Sequence, residues 1–179
     1  MEKYNYEEIK YMNISIIGGS GFLGQRLSKR LDKSNINYRS FDKKLLKNSK
    51  NYIDVTDLPS LDVLKDSSAI INLAAVHRDD IRPISLYDDV NVEGARNICL
   101  AAEKFNISKI IFTSSVAVYG FAPKNTGECG KINYFNDYGR TKFLAEKVFE
   151  EWFSKDPEKR TLVIVRPTVI FGEGNRGNV

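Results

Sequence analysis

Apolar positions along the chain fall into short runs set between helical and polar stretches. "NISII" (Asn13–Ile17) is the first, and Leu23, Leu27 and Leu31 follow it at i, i+4 spacing, one stripe of a helix. A second run, Asn37–Phe41, ends at Asp42. A short third, Asn51–Ile53, ends at Asp54, after which "DLPSL" opens a brief helical turn. Ser68–Ala75 is apolar without alternation, the pattern of a parallel strand covered on both faces. A long helix is predicted from about Leu86 to Phe105, with Ala95, Ile98, Cys99 and Ala102 on its inner side. Lys109–Ser115 gives a fifth strand, Gly120–Asp137 a loop, and Tyr138–Phe153 an amphipathic helix stopped near Pro157. Thr161–Pro167 is a sixth strand, and the closing "GEGNRGNV" is glycine-rich and irregular. Residues 1–12 show no clear period and are set apart as an extension to one domain spanning 13–179.

Strand and helix in alternation predict an α/β fold with a doubly wound parallel sheet, since right-handed crossovers leave few other topologies. Ligands of such sheets bind beyond the carboxyl ends of the strands. The unusual residues of this chain stand at those ends.

Composition narrows the function classes. A length of 179 residues suits one domain with a real core, and 42% hydrophobic against 28% charged residues is globular rather than disordered. No apolar stretch approaches the ~20 residues that span a bilayer, and the charged N-terminus lacks a signal-peptide core. Two cysteines, Cys99 and Cys129, and one histidine, His77, argue against a disulfide framework or a metal site. A reduced, cytoplasmic setting without membrane attachment is the expectation. The net charge of +4 comes from scattered lysines with no basic stripe interleaved with aromatics, so no nucleic-acid partner is expected.

Gly18-x-x-Gly21-x-x-Gly24 follows a strand and opens a helix. In that context a helix N-terminus offers free N–H groups and partial positive charge to a pyrophosphate, which bare glycines let approach. Asp42, 24 residues after Gly18, ends the second strand, where a carboxylate can accept both hydroxyls of an adenosine ribose. Asp54 ends another predicted strand. With Val55 it suits an adenine ring, or else it caps a helix. Tyr138 and Lys142 form Y-x-x-x-K, on one helix face. A free tyrosine, with a pKa of ~10, is a poor base. A neighbouring ammonium stabilises the phenolate and lowers that value, so that the tyrosine can take a hydroxyl proton. Ser115, at the end of the fifth strand, supplies a hydroxyl toward the same substrate oxygen.

Together these elements resemble the extended short-chain dehydrogenase/reductase family, in its NAD-dependent epimerase/dehydratase branch acting on nucleotide sugars. The resemblance runs from Asn13 to Val179 and rests on "GGSGFLG", "IDVTD", "NLAAVH", "NVEGARN", "FTSSVAVYG", "YGRTK" and "VRPTVIFGEG", in the family's order. It implies a Rossmann fold with NAD as cofactor. Phe22 and Leu23 would meet the phosphates through their backbone, Asp42 the adenosine ribose, and Asp54 and Val55 the adenine. Leu73, Ala74, Ala75 and His77 would line the dinucleotide cleft, with Asn91 nearby on the next helix. Thr113, Pro167 and Thr168 would border the nicotinamide. Lys142 would bond the nicotinamide ribose and tune Tyr138.

The resemblance also bears on the reaction. The family's 4,6-dehydratases generally place a glutamate two positions after the residue matching Ser115, often with an aspartate between. Here Val116 and Ala117 stand there and exchange no protons, so the chain resembles the epimerases. The expected activity is oxidation and re-reduction of a sugar carbon, usually C4, with Ser115, Tyr138 and Lys142 as the catalytic set. A net keto-sugar reductase using NADH or NADPH shares that set. A non-catalytic nucleotide-sensing protein of the same fold is the further alternative. Family members usually continue into a substrate domain beyond the sixth strand, whereas this sequence runs to Val179, so the expectation is a fragment that stops short of that domain. A homodimer is expected through the helices near Leu86–Phe105 and Tyr138–Phe153, with Leu144, Val148 and Trp152 as candidate contacts, Trp152 having the core as its alternative place.

Overall fold

The run Ile14-Ser15-Ile16-Ile17 is buried at every position, as the central strand of a sheet covered on both faces must be. In a computed structural model of the chain, which describes residues 9, 11–78 and 80–174, this strand is β1 (Ile14–Ile17). It leads into helix α1 (Phe22–Lys33) and then β2 (Tyr38–Phe41). A 3-10 helix over Leu58–Leu64, where "DLPSL" predicts a turn, precedes β3 (Ala69–Asn72). Helix α2 runs as an α turn (Ser85–Tyr87), a π-helical stretch (Asp88–Glu93) and an α-helix (Gly94–Lys104). β4 (Lys109–Thr113), a 3-10 turn (Val116–Tyr119), helix α3 (Asp137–Ser154) and β5 (Thr161–Val165) complete the described order.

The five strands form one parallel sheet in the order β2-β1-β3-β4-β5. This is the Rossmann-like α/β architecture, and its order reverses between β1 and β3. One face carries the larger core, where α2 and α3 set Ile98, Phe149 and Trp152 against Ile17, Ile70, Ile110 and Phe112. The other face has a smaller cluster of Ile14, Ile16, Leu31, Ala69 and Ile71 under α1.

Two expectations need correction. Asn51–Ile53 is not a strand: its link to the sheet is one backbone bond from Asp42 N to Asn51 O at 3.2 Å, while Tyr52 N turns back to Ser49 O at 3.0 Å. Three residues without a ladder do not make a strand, although Ile53 is buried. The helix predicted from Leu86 to Phe105 is interrupted by its π-helical stretch. There Val90, Asn91 and Val92 are buried in succession, which one face of a regular α-helix does not allow. Of the two places open to Trp152, a dimer contact or the core, the structure shows the core: it is 1% exposed, with Arg160 over its ring at 4.8 Å. Of residues 1–12, only 9, 11 and 12 are described, and Ile9 and Met12 pack on the smaller cluster; Asn175–Val179 of "GEGNRGNV" lie outside the described residues.

Candidate active site

The carboxyl ends of β1, β3 and β4 open onto a single cleft of about 630 Å³, within the range of small-molecule sites. Of the residues singled out from sequence, Gly18, Gly21, Phe22, Leu23, Gly24, Asp42, Val55, Leu73, Ala74, Ala75 and His77 line one part of it. Thr113, Ser115, Tyr138, Lys142, Pro167 and Thr168 line the rest. Lys43, Lys44, Val76, Val116, Phe135 and Asn136 also line it. Asp54 and Asn91 do not.

The glycine loop is shaped by its own chain as much as by any ligand. Gly18 has φ +84°, and a Cβ there would sit 2.8 Å from Ala74 N. A Cβ on Gly24 would come 2.6 Å from Cα and O of Gly19. These two glycines therefore let β1, α1 and the end of β3 pack together. At Gly21 an added Cβ would meet only Gly18 O, at 3.2 Å, and would otherwise enter the cleft. The space for a phosphate lies at Gly21, on the N-cap of α1, where no side chain caps the helix. The N–H groups there are available to an anion.

Asp42 is 6% exposed and accepts from two backbone donors, Ser20 N at Oδ2 and Lys44 N at Oδ1, both 2.9 Å. A carboxylate has about four acceptor sites, so each oxygen keeps capacity for a ribose hydroxyl. Asp54, given an adenine or a capping role from sequence, makes local bonds here. Its Oδ1 accepts from Thr56 N at 3.0 Å and Thr56 Oγ1 at 2.9 Å, a local turn outside the cleft lining. Val55 beside it does line the cleft.

Asn91, on the π-helical stretch of α2, works on the cleft wall from behind. It accepts from Val76 N at 2.9 Å, donates to Val76 O at 3.0 Å, and donates to Thr141 Oγ1 at 3.0 Å. It thus ties the loop after β3 to the helix carrying Lys142. Arg140 adds a second tie, donating to both carboxylate oxygens of Asp88 at 2.9 and 2.6 Å and to Asp137 at 3.0 Å. These bonds hold the Asp88 carboxyl below its ordinary range.

α3 begins where Asn136 Oδ1 accepts from Gly139 N at 2.8 Å, an N-cap bond that fixes the first turn. Tyr138 lies in that turn and Lys142 one turn on. Burial raises the Tyr138 pKa above its ordinary value, with a hydrogen bond to the Ser115 side chain working downward. Burial thus works against the lowering that a neighbouring positive charge would bring. Lys142 directs its ammonium at Thr113 O, at 2.7 Å, and burial pushes it down to about 7. Ser115 Oγ accepts from Ala117 N at 3.1 Å, which fixes the serine as the N-cap of the 3-10 turn. Val116 lines the cleft beside it.

Sequence reading passed over Glu146 and Arg166. Arg166 binds Glu146 through Nε–Oε1 at 2.9 Å and Nη2–Oε2 at 2.7 Å, and Ser114 Oγ donates to the same carboxylate. The i, i+4 spacing from Lys142 to Glu146 is the one signal of this cluster in the sequence.

These residues fit NAD. The cradle at Gly21 is one a Cβ would fill, Asp42 stands 6% exposed at the end of β2, and Tyr138 and Lys142 share the wall with Pro167 and Thr168.

Comparison with known proteins agrees with this geometry. Over 171 residues the chain is 47% identical to the N-acetyl-alpha-D-glucosaminyl-diphospho-ditrans,octacis-undecaprenol 4-epimerase of Escherichia coli O157:H7, covering 93% of this chain and 51% of that protein. Among solved structures, MoeE5 in complex with UDP-glucuronic acid and NAD superposes with a TM-score of 0.81 at 24% identity, covering 92% of this chain and 57% of that one. The UDP-glucose 4-epimerase of Brucella ovis in complex with NAD gives a TM-score of 0.77 at 24% identity, over 87% and 51% of the two chains. The chain thus spans about half the length of these relatives. The model of the NAD dependent epimerase/dehydratase family matches residues 14–179, and the chain belongs to that NAD-dependent family.

Proposed function

We propose that this chain forms the cofactor-binding and catalytic half of a 4-epimerase whose substrate is a sugar carried on a diphosphate. The observation that carries this reading is the convergence of Ser115, Tyr138 and Lys142 on one cleft wall, with apolar Val116 and Ala117 where a dehydratase needs acidic groups. The 47% identity to an epimerase of a diphosphate-linked N-acetylglucosamine supports the same substrate class. A nucleotide sugar and a polyprenyl-linked sugar share that sugar-diphosphate chemistry.

NAD, when bound, would supply the acceptor and donor of the hydride exchanged with the sugar carbon. Gly21 and the first N–H groups of α1 would hold its pyrophosphate, and Asp42 would hold a ribose. Tyr138 takes the proton from the sugar hydroxyl and later gives it back, so the enzyme ends each cycle unchanged. Ser115 orients the same oxygen. Lys142 stabilises the Tyr138 phenolate by its charge.

The protein is assigned to the cytoplasm as a homodimer built on α2 and α3. The free thiols of Cys99 and Cys129 and the absence, among the described residues, of a helix long and apolar enough to cross a membrane support that setting. With Trp152 in the core, Leu144 and Val148 only partly or barely accessible, and Leu100 50% exposed on α2, the pairing would draw its apolar contact from Leu100.

The test uses the full-length gene product with UDP-N-acetylglucosamine and with N-acetylglucosaminyl-diphospho-undecaprenol, without added reductant. Conversion to the 4-epimer with no net change in NADH is expected. Stoichiometric consumption of NADH or NADPH would replace the epimerase by a keto-sugar reductase.

A further inference from the structure

Glu146 and Arg166 stand outside the cleft lining, yet they adjoin its most unusual charge. Glu146 is fully buried and lies one helical turn after Lys142 on α3. Both its oxygens are held by Arg166, and one also by Ser114. Arg166 in turn donates to the Tyr119 hydroxyl and, at 3.1 Å, to Glu128 O. A buried ion pair contributes little to stability by itself, because desolvation offsets the attraction. This pair has a third member. Lys142 is 3% exposed, donates to Thr113 O, and sits 4.6 Å from the centroid of the Phe112 ring. A carbonyl and a ring face are weak compensation for a buried ammonium.

The elements packed around Lys142 offer few ionic partners. β4 and the turn after it present Thr113, Ser114 and Ser115, all neutral, and α2 presents the Asn91 amide through Thr141. The end of β5 presents Arg166, which is committed to Glu146. On α3 itself the ionisable neighbours are Tyr138 and Glu146, the latter at i+4 and so on the same helix face.

We propose that Glu146, clamped by Arg166 and Ser114, is the buried counter-ion of Lys142 and a positioning residue for it, keeping the ammonium charged and aimed at Thr113. The inference rests on the reading of Lys142 as the partner of Tyr138. The clamp has a second effect, because Ser114 and Arg166 directly precede Ser115 and Pro167. One carboxylate therefore fixes both strand ends that flank the reacting region. Burial pushes the Lys142 ammonium down to about 7, and the negative charge of Glu146 acts upward against it.

The test is an NMR titration of lysine side chains in the ligand-free protein, with Lys142→Met identifying the resonance. Glu146→Gln should move the Lys142 titration down by about 1 pH unit or more, the size expected for losing a nearby opposite charge. Glu146→Asp, which keeps the charge, should retain most of the original titration. The double variant Glu146→Met with Arg166→Met removes both charges at similar volume and should move Lys142 the same way. It covers the case in which Glu146→Gln leaves an orphaned Arg166 and does not fold. Calorimetry with NAD should show Glu146→Gln losing more affinity at pH 8 than at pH 6. An unchanged Lys142 titration in the glutamine or the double variant overturns the proposal. Absence of NAD affinity in the unaltered protein would instead overturn the cofactor reading, and the NMR result would stand apart from it.

Discussion

The glycine loop makes a prediction in which two nearly identical substitutions act oppositely. In Gly24→Ala, the new Cβ meets backbone at 2.6 Å (Gly19 Cα and O) and 2.7 Å (Gly18 O), and no flexible side chain is there to yield. Overpacking of this kind costs ~1–3 kcal/mol. Replacing a helical glycine by alanine returns ~0.5–1 kcal/mol of backbone entropy. The net expectation is a loss of about 1–2 kcal/mol in stability, with displaced N–H groups and weaker NAD binding. In Gly21→Ala, the Cβ meets a single atom at 3.2 Å. The residue has φ −72°, which alanine adopts, so entropy gained and cap preference lost roughly cancel, leaving stability within ~0.5 kcal/mol. Its methyl group occupies the phosphate space, so NAD affinity should fall tenfold or more, ~1.4 kcal/mol. Urea denaturation and NAD calorimetry on the same preparations read both quantities. Wild-type NAD affinity in Gly21→Ala would show that no phosphate lies over this residue. Wild-type stability in Gly24→Ala would show that the loop does not need its close approach to Gly19.

Other expectations follow from the same site. Tyr138→Phe in the full-length enzyme should leave NAD affinity nearly intact and lower turnover by ~10²–10⁴, the range for a lost general base; normal turnover would remove that role. Asp42→Asn gives up one acceptor toward Ser20 N or Lys44 N and the charge opposing a 2′-phosphate, so titrations should show weaker NAD binding and a smaller preference over NADPH. Lys142 titrates at about 7 when folded and at ~10.4 when unfolded, so the unfolded chain binds the extra proton between them and stability rises with pH from 7. Above about 9 the buried Cys99 thiol, pushed up to about 12, opposes this, and Lys142→Met should flatten the rise between pH 7 and 9 in denaturation curves. Trp152→Ala should cost ~3–5 kcal/mol at every protein concentration, as a core residue does; a concentration-dependent loss would return it to an interface.

Strands β1 and β3 were legible as apolar runs buried at every position, β4 and β5 as shorter apolar runs, and the strand ends located most of the cleft. Asn51–Ile53 misled because a short run ending in aspartate has the composition of a strand. Only pairing makes it one, and the single bond to Asn51 O is a long-range fact. Asp54 was read as a strand-end carboxylate, but no strand precedes it, and its bond from Thr56 N depends on a local turn that the composition does not show. Tyr138 and Lys142 were visible by spacing, whereas the sign of the tyrosine's shift depends on burial that spacing does not carry. Glu146 and Arg166 lie 20 residues apart on different elements, and no local pattern joins them.

The unequal dressing of the sheet has a consequence for handling the protein. Two helices cover the face bearing Ile110 and Phe112, whereas on the opposite face the cluster under α1 extends no further than Ile111 of β4. Val163 and Val165 of β5 remain 43% and 42% exposed there, on a strand that ends the described sheet. An edge strand offers unpaired N–H and C=O groups, and apolar side chains beside them make it adhesive toward other strands. Concentrated samples of this chain should therefore stick to one another through β5, bind hydrophobic dyes while still folded, and tolerate a lysine at Val163 better than a larger apolar residue.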